Sequence, residues 1–144
     1  MDTPFGTNKL IARRFVNEVP DGGSQQVARE LFLPGAVRHF PPGDLVMGPD
    51  QPAPHSTERS MRTEIHHLFG EGDLVTIHLT HHVVFEPNAR FQTRMGWIEL
   101  GGKSIQWSAM TVLRFEGNRI AEQWVIRDEL YVALQAGVVT PTHL

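Results

Sequence analysis

The chain of 144 residues contains no cysteine. That absence excludes a disulfide framework, a thiolate zinc site and a cysteine nucleophile, so any metal would have to be held by histidines and carboxylates. A basic stripe is missing too. The formal charge is -3, and the nearest thing to a basic cluster is Arg13-Arg14 inside a helical pattern. A phosphate backbone calls for a row of Lys or Arg, so nucleic acid is not expected as a partner. No apolar run approaches the ~18 residues of a membrane span. Met1 to Leu10 carries Asp2 and no apolar core of signal length, so the expectation is a cytoplasmic protein that does not engage a membrane. No Gly-rich phosphate loop follows a strand and no Gly-x-Ser-x-Gly occurs. Nucleotide binding and serine hydrolysis therefore have no support.

What is present is the composition of a folded globule, with 40% hydrophobic and 20% charged residues, three Trp and eight Phe. The length suits a single domain over 1–144, with 138–144 as a loose tail, and a chain of this size buries roughly 68–70% of its unfolded surface. Helical patterns come first. Thr7 can cap a helix from Asn8 to about Val19, with Leu10 or Ile11, Arg14 or Phe15, and Val19 at helical spacing, and Pro20-Asp21-Gly22-Gly23 stops it. Ser24 opens a shorter helix carrying Val27, Leu31 and Phe32 that is expected to end at Pro34-Gly35. Phe40 to Pro54 concentrates five prolines with Gly43 and Gly48, which predicts a surface loop.

The remainder reads as sheet. Thr63 to Phe69 and Leu74 to Phe85 flank the turn composition Gly70-Glu71-Gly72-Asp73, although a helix through Met61, Ile65, Leu68 and Phe69 satisfies the spacing as well. Arg94 to Leu100 and Ser104 to Phe115 flank Gly101-Gly102, and Glu116-Gly117-Asn118-Arg119 joins the second of these to Ile120 to Arg127. Asp128 then caps a terminal helix, Glu129 to Ala136, closed by Gly137. Helices followed by a meander make an α+β fold.

With a two-residue turn at Gly117-Asn118, Phe115 faces Ile120, Leu113 faces Glu122, Thr111 faces Trp124, Ala109 faces Ile126 and Trp107 faces Asp128. That face is the more apolar one and is expected to point inward. Asp128 is its misfit: desolvation beside Trp107 would raise its pKa toward the range of a general acid/base, whereas a helix-capping carboxylate accepts N–H bonds that lower it. Spacing alone leaves both readings open. His81 falls in line with Val75, Ile77, Leu79, Val83 and Phe85, either as a satisfied core histidine or as a second catalytic group. His66 and His67 point to opposite faces of a regular strand, and no His-x-Glu or His-Glu-x-x-His spacing occurs, so no metal site is expected.

Gly72-Asp73-Leu74-Val75, then Arg114, Gly117, Ile120, Glu122 and Trp124 around the last hairpin, then Asp128-Glu129-Leu130 running to Leu134-Gln135-Ala136-Gly137, resemble the SnoaL-like polyketide cyclase family. The Asn8 to Glu18 helix and Val37-Arg38-His39-Phe40-Pro41 resemble that family's first helix and His-x-Pro turn, so the likeness covers most of the chain. It implies the nuclear transport factor two-like fold, a cone-shaped, curved, mostly antiparallel sheet wrapped by N-terminal helices, with a short C-terminal helix, usually in dimers or tetramers. It also implies aldol-type chemistry next to a carbonyl, without metal or cofactor, using an Asp four residues after the hairpin Trp. Here Trp124 leads to Asp128.

The resemblance lifts Asp128 above the cap reading and makes His39 a pocket residue by position. The expected site therefore has Asp128, His81 and His39 in catalytic roles, and Trp107, Trp124, Phe15, Thr111 and Ile126 against a small apolar or aromatic carbonyl ligand. The competing expectation is a non-catalytic ligand-binding or dimerisation domain of the same fold. Two departures affect the pocket: the proline-rich Phe40 to Pro54 stands where the family has a third helix, and a longer family turn is reduced to Gly101-Gly102-Lys103.

Overall fold

A computed structural model describes residues 4–40, 43–47 and 59–142. Helix α1 spans Pro4–Glu18, a turn longer at its start than the capping signal at Thr7 suggested. Asn8, Ala12, Phe15 and Val16 form its buried stripe, the three- and four-residue spacing of an amphipathic helix, and Val19 just past its end is buried as well. The Pro20 to Gly23 turn ends it as expected. Gly22 is required there because a Cβ would stand 2.9 Å from the Glu18 carbonyl oxygen. Ser24 caps α2, Gln25–Leu31, its Oγ accepting from the Val27 N–H at 3.1 Å.

The chain then turns directly into strand β1, Phe32–Phe40, passing through the Pro34-Gly35 pair that read as a stop. A bulge explains the difference. The pairing of β1 with the last strand is interrupted between Phe32 and Val37, so Pro34 owes no N–H to a ladder, and Gly35 adopts a positive φ of 82°. Strand β2, Gly43–Val46, folds back on β1 and replaces part of the expected loop with a hairpin. The rest of that loop, 41–42 and 48–54, lies outside the described residues.

Strands β3, Arg59–Glu71, and β4, Leu74–Phe85, form the expected hairpin, so the helical alternative for Met61 to Phe69 is set aside. A bulge between Ile65 and His67 puts His66 and His67 together beside His78, with ring centroids 4.9 and 5.3 Å from it, and not on opposite faces. Strands β5, Arg90–Thr93, and β6, Gly96–Glu99, pair only with each other, so the single strand expected over Arg94 to Leu100 is instead half of a separate small hairpin. Strands β7, Ser104–Glu116, and β8, Arg119–Arg127, lead to α3, Glu129–Ala136, which Gly137 closes at a φ of 76°.

The main sheet has the order β2-β1-β8-β7-β4-β3, antiparallel except for the β1–β8 pair. Alternation along β4 and β7 buries Val75, Ile77 and Leu79 and, opposite them, Ala109, Thr111 and Leu113 on the concave face against which α1 packs. Val132 and Ala133 of α3 close the core alongside β7. This is the expected α+β arrangement of a curved, mostly antiparallel sheet with N-terminal helices and a short C-terminal one.

Strand β8 departs from the counted register. Phe115 pairs with Ile120, but Arg114 pairs with Glu122, so Ala121 is an extra residue in a bulge. Ile120 and Ala121 are both buried, and beyond them the phase is reversed: Leu113 pairs with Gln123, Thr111 with Val125 and Ala109 with Arg127. A one-residue slip sends every later side chain to the other face. The inward set is Gln123, Val125 and Arg127, and the expected inward placement of Glu122, Trp124, Ile126 and Asp128 does not hold. Trp124 is 37% and Ile126 75% exposed.

Candidate active site

Between α1 and the concave face lies a cavity of about 150 Å³. Phe15 and Val16 of α1 and Pro20 of the following turn form one wall, and Met61, Leu79 and Trp107 contribute further apolar surface. Its polar lining comes from Arg38, His81, Thr111, Gln123 and Arg127. Of the residues anticipated from sequence, His81, Trp107, Phe15 and Thr111 line this space, whereas Asp128, His39, Trp124 and Ile126 do not.

The Asp128 side chain accepts the Tyr131 N–H at 3.0 Å and is exposed, capping α3 in the manner of the alternative reading of its spacing. His39 sits over Trp124 with rings 5.6 Å apart and 18° from parallel, while Nδ1 meets Asp44 at 3.0 Å and Nε2 meets Glu122 at 2.7 Å. The Glu122 contact, and then Asp44, raise its pKa above the ordinary histidine value.

His81 is held differently. Asp21, in the turn that stops α1, accepts both the backbone N–H of Thr63, at 2.8 Å, and the Thr63 hydroxyl. An ionised carboxylate only accepts, so the Thr63 proton is committed to Asp21 and its Oγ1 presents a lone pair to His81 Nδ1 at 2.6 Å. With Asp21 ionised, Nδ1 is the donor in this contact. The ring edge packs on Trp107 with centroids 5.5 Å apart. Asp21 and Thr63 were not anticipated. Asp21 read as turn chemistry, and counting back from the β3–β4 turn without its bulge sets Glu64, not Thr63, across from His81.

Across the cavity, Arg38 Nε donates to Gln123 Oε1 at 2.6 Å, and Gln123 Nε2 donates to Thr111 Oγ1 at 3.0 Å. The guanidinium lies 5.3 Å from the Phe32 ring centre and 5.9 Å from that of Phe40. Burial pushes its pKa down to about 10, which leaves it charged at neutral pH. Arg127, also lowered chiefly by burial, is paired with Glu129 at 3.0 Å and donates to the Gln92 carbonyl at 2.6 Å. Neither arginine nor Gln123 was singled out from sequence, because the counted register turned Gln123 and Arg127 outward. Among the described residues, no group of three or more His, Asp or Glu is placed to hold a metal ion. No described helix is long and apolar enough to cross a membrane.

Solved structures share this architecture along nearly their whole length. A protein from Jannaschia sp. CCS1 described as a SnoaL-like polyketide cyclase superposes with a TM-score of 0.72 at 14% identity, covering 97% of this chain and 99% of that one. An LEH-like epoxide hydrolase of M. tuberculosis gives 0.69 at 11% identity over 94% and 93% of the two chains. TsrD from Streptomyces laurentii gives 0.72 at 15% over 96% and 99%. At such identities the likeness is one of fold. No curated protein matches the chain. The model of the SnoaL-like polyketide cyclase family does match, over residues 10–136, and the chain belongs to that family.

Proposed function

We propose that the protein is a cofactor-independent enzyme that moves a proton at a carbon next to a carbonyl in a small apolar or aromatic molecule held in this cavity, with His81 as the acid/base. The observation that carries this reading is the Asp21–Thr63–His81 chain, which fixes the ring's tautomer and ends at the cavity wall. Nε2 takes the proton, the C–H electron pair moves into the carbonyl to give an enolate, and the imidazolium returns the proton to carbon or passes it to oxygen. Asp21 and Thr63 are positioning residues. The role expected of Asp128 passes to His81, because the bulge at Ala121 leaves Asp128 as an exposed cap. Family membership supports the small-molecule class, and aldol-type ring closure is one outcome open to such an enolate.

The test is hydrogen exchange in D2O. Incubated with a panel of small aryl ketones and 1,3-dicarbonyls, the protein should deplete the NMR signal of the hydrogen next to the carbonyl faster than buffer does. His81→Ala should lower that rate by about 100-fold or more, and Asp128→Asn should leave it near wild type. A folded His81→Ala protein exchanging at the wild-type rate refutes the assignment. Exchange by neither protein favours the non-catalytic ligand-binding reading.

The same reading includes assembly. Trp124, Ile126 and Met110 of the outer sheet face are exposed at neighbouring positions of β7 and β8, and we infer that this apolar surface joins two copies of the chain.

A further inference from the structure

Arg38 is the one cavity-lining cation whose charge is not answered by a carboxylate among the described residues. Arg127 has Glu129, and Arg14, Arg114 and His39 outside the cavity each have an acidic partner. Arg38 has only the Gln123 amide, bonded through Nε, and two aromatic rings. That geometry leaves the Nη edge of the fork, two parallel N–H groups spaced for a carboxylate, without a bonded acceptor among the described residues, in a side chain that lines the cavity. Keeping a charged guanidinium in a partly apolar pocket costs free energy unless a counter-charge is supplied. A substrate can supply it.

We propose that the ligand of this cavity is a small carboxylate, of about one ring in size, whose two oxygens bind the Nη edge of Arg38. The size follows from the volume: about 150 Å³ is well below the ~300 Å³ at which pockets for drug-sized ligands begin. Gln123 sets the guanidinium's rotation, because its own amide is fixed by Thr111. With the carboxylate on Arg38, the remainder of the molecule occupies the cavity that Val16, Trp107 and His81 also line. The substrate class is thus a keto acid or acyl-substituted aromatic acid. This deepens the proton-transfer reading of His81 and rests on it for turnover, though binding at Arg38 is independent of it.

Binding is tested with a matched pair of probes, benzoate and benzamide, which have the same shape and differ in charge. Titration into the ¹⁵N-labelled protein, following the Trp107 indole and Arg38 Nε resonances, should show benzoate binding at least about tenfold more tightly than benzamide. Arg38→Met should remove that preference and weaken benzoate by about 10–100-fold, and Arg38→Lys should retain part of it. His81→Ala should keep the preference for benzoate over benzamide even where it weakens both probes, which separates this proposal from the catalytic one. Equal affinities of the two probes for the wild-type protein would overturn the proposal, and this comparison needs no variant to fold. So would an undiminished preference for benzoate in Arg38→Met, or no benzoate binding at millimolar concentration.

Discussion

At the scale of single residues, the molecule depends on how three side chains from distant positions are tied together. Thr63 is the middle of the chain, and its hydroxyl donates a hydrogen bond to Asp21 and makes a second one with His81 Nδ1. Thr63→Val keeps the shape and removes both bonds. His81 then loses the partner that selects its tautomer, and proton exchange should fall by about 10–100-fold, while Thr63→Ser should restore most of it. A purely structural role would instead lower stability, by about 1–3 kcal/mol, and leave the rate per folded molecule unchanged. The sequence marked His81 by its alignment with Val75, Ile77 and Leu79, but its partners were not legible. Asp21 has the appearance of any turn aspartate, and the distance along the chain from Asp21 to Thr63 carries no trace of their contact.

At the scale of elements, β7 and β4 were legible because their alternation is regular and one face is buried. Strand β8 was misread for a physical reason. Its inward residues Gln123 and Arg127 are polar because they line a site, and its outward residues Trp124 and Ile126 are apolar, so hydrophobicity selects the wrong phase. Strand β1 was missed because Pro34-Gly35 signals a stop wherever no bulge accommodates it. The misread phase moves Glu122 outward to join His39, and a pH dependence follows. The pKa of His39 is raised from 6.5, mainly by Glu122, so its stabilising share is complete below 6.5 and is lost as pH rises through the raised value. The pKa of Glu122 is lowered from 4.5, mainly by His39, so its share is present above 4.5 and is lost as pH falls through the lowered value. The stability gap between wild type and His39→Asn in urea unfolding should therefore be widest between pH 4.5 and 6.5. It should narrow as pH rises further, and a gap of constant width across neutral pH would contradict the coupling.

At the scale of the whole molecule, the α+β class, the order of helices before sheet and the C-terminal cap with its glycine were all readable from local signals. The cavity was legible in part: His81, Trp107, Phe15 and Thr111 were expected against a ligand, whereas Gln123 and Arg127 reach it through a bulge in β8 that no local signal encodes. The apolar outer surface belongs to this scale too. If it joins two copies, sedimentation should give a dimer at micromolar concentration, and Ile126→Glu, a charge placed at a side chain now 75% exposed, should yield a folded monomer. A wild-type chain that sediments as a monomer would leave the patch without that role.

Asp21 also has a mechanical effect. By gripping the backbone N–H of Thr63 as well as its hydroxyl, it fastens an edge strand of the main sheet to the turn behind α1. Edge strands are where sheets recruit strangers. Variation that frees the histidine from its orienting partners would also unfasten this border, so loss of activity and a tendency to aggregate should be inherited together.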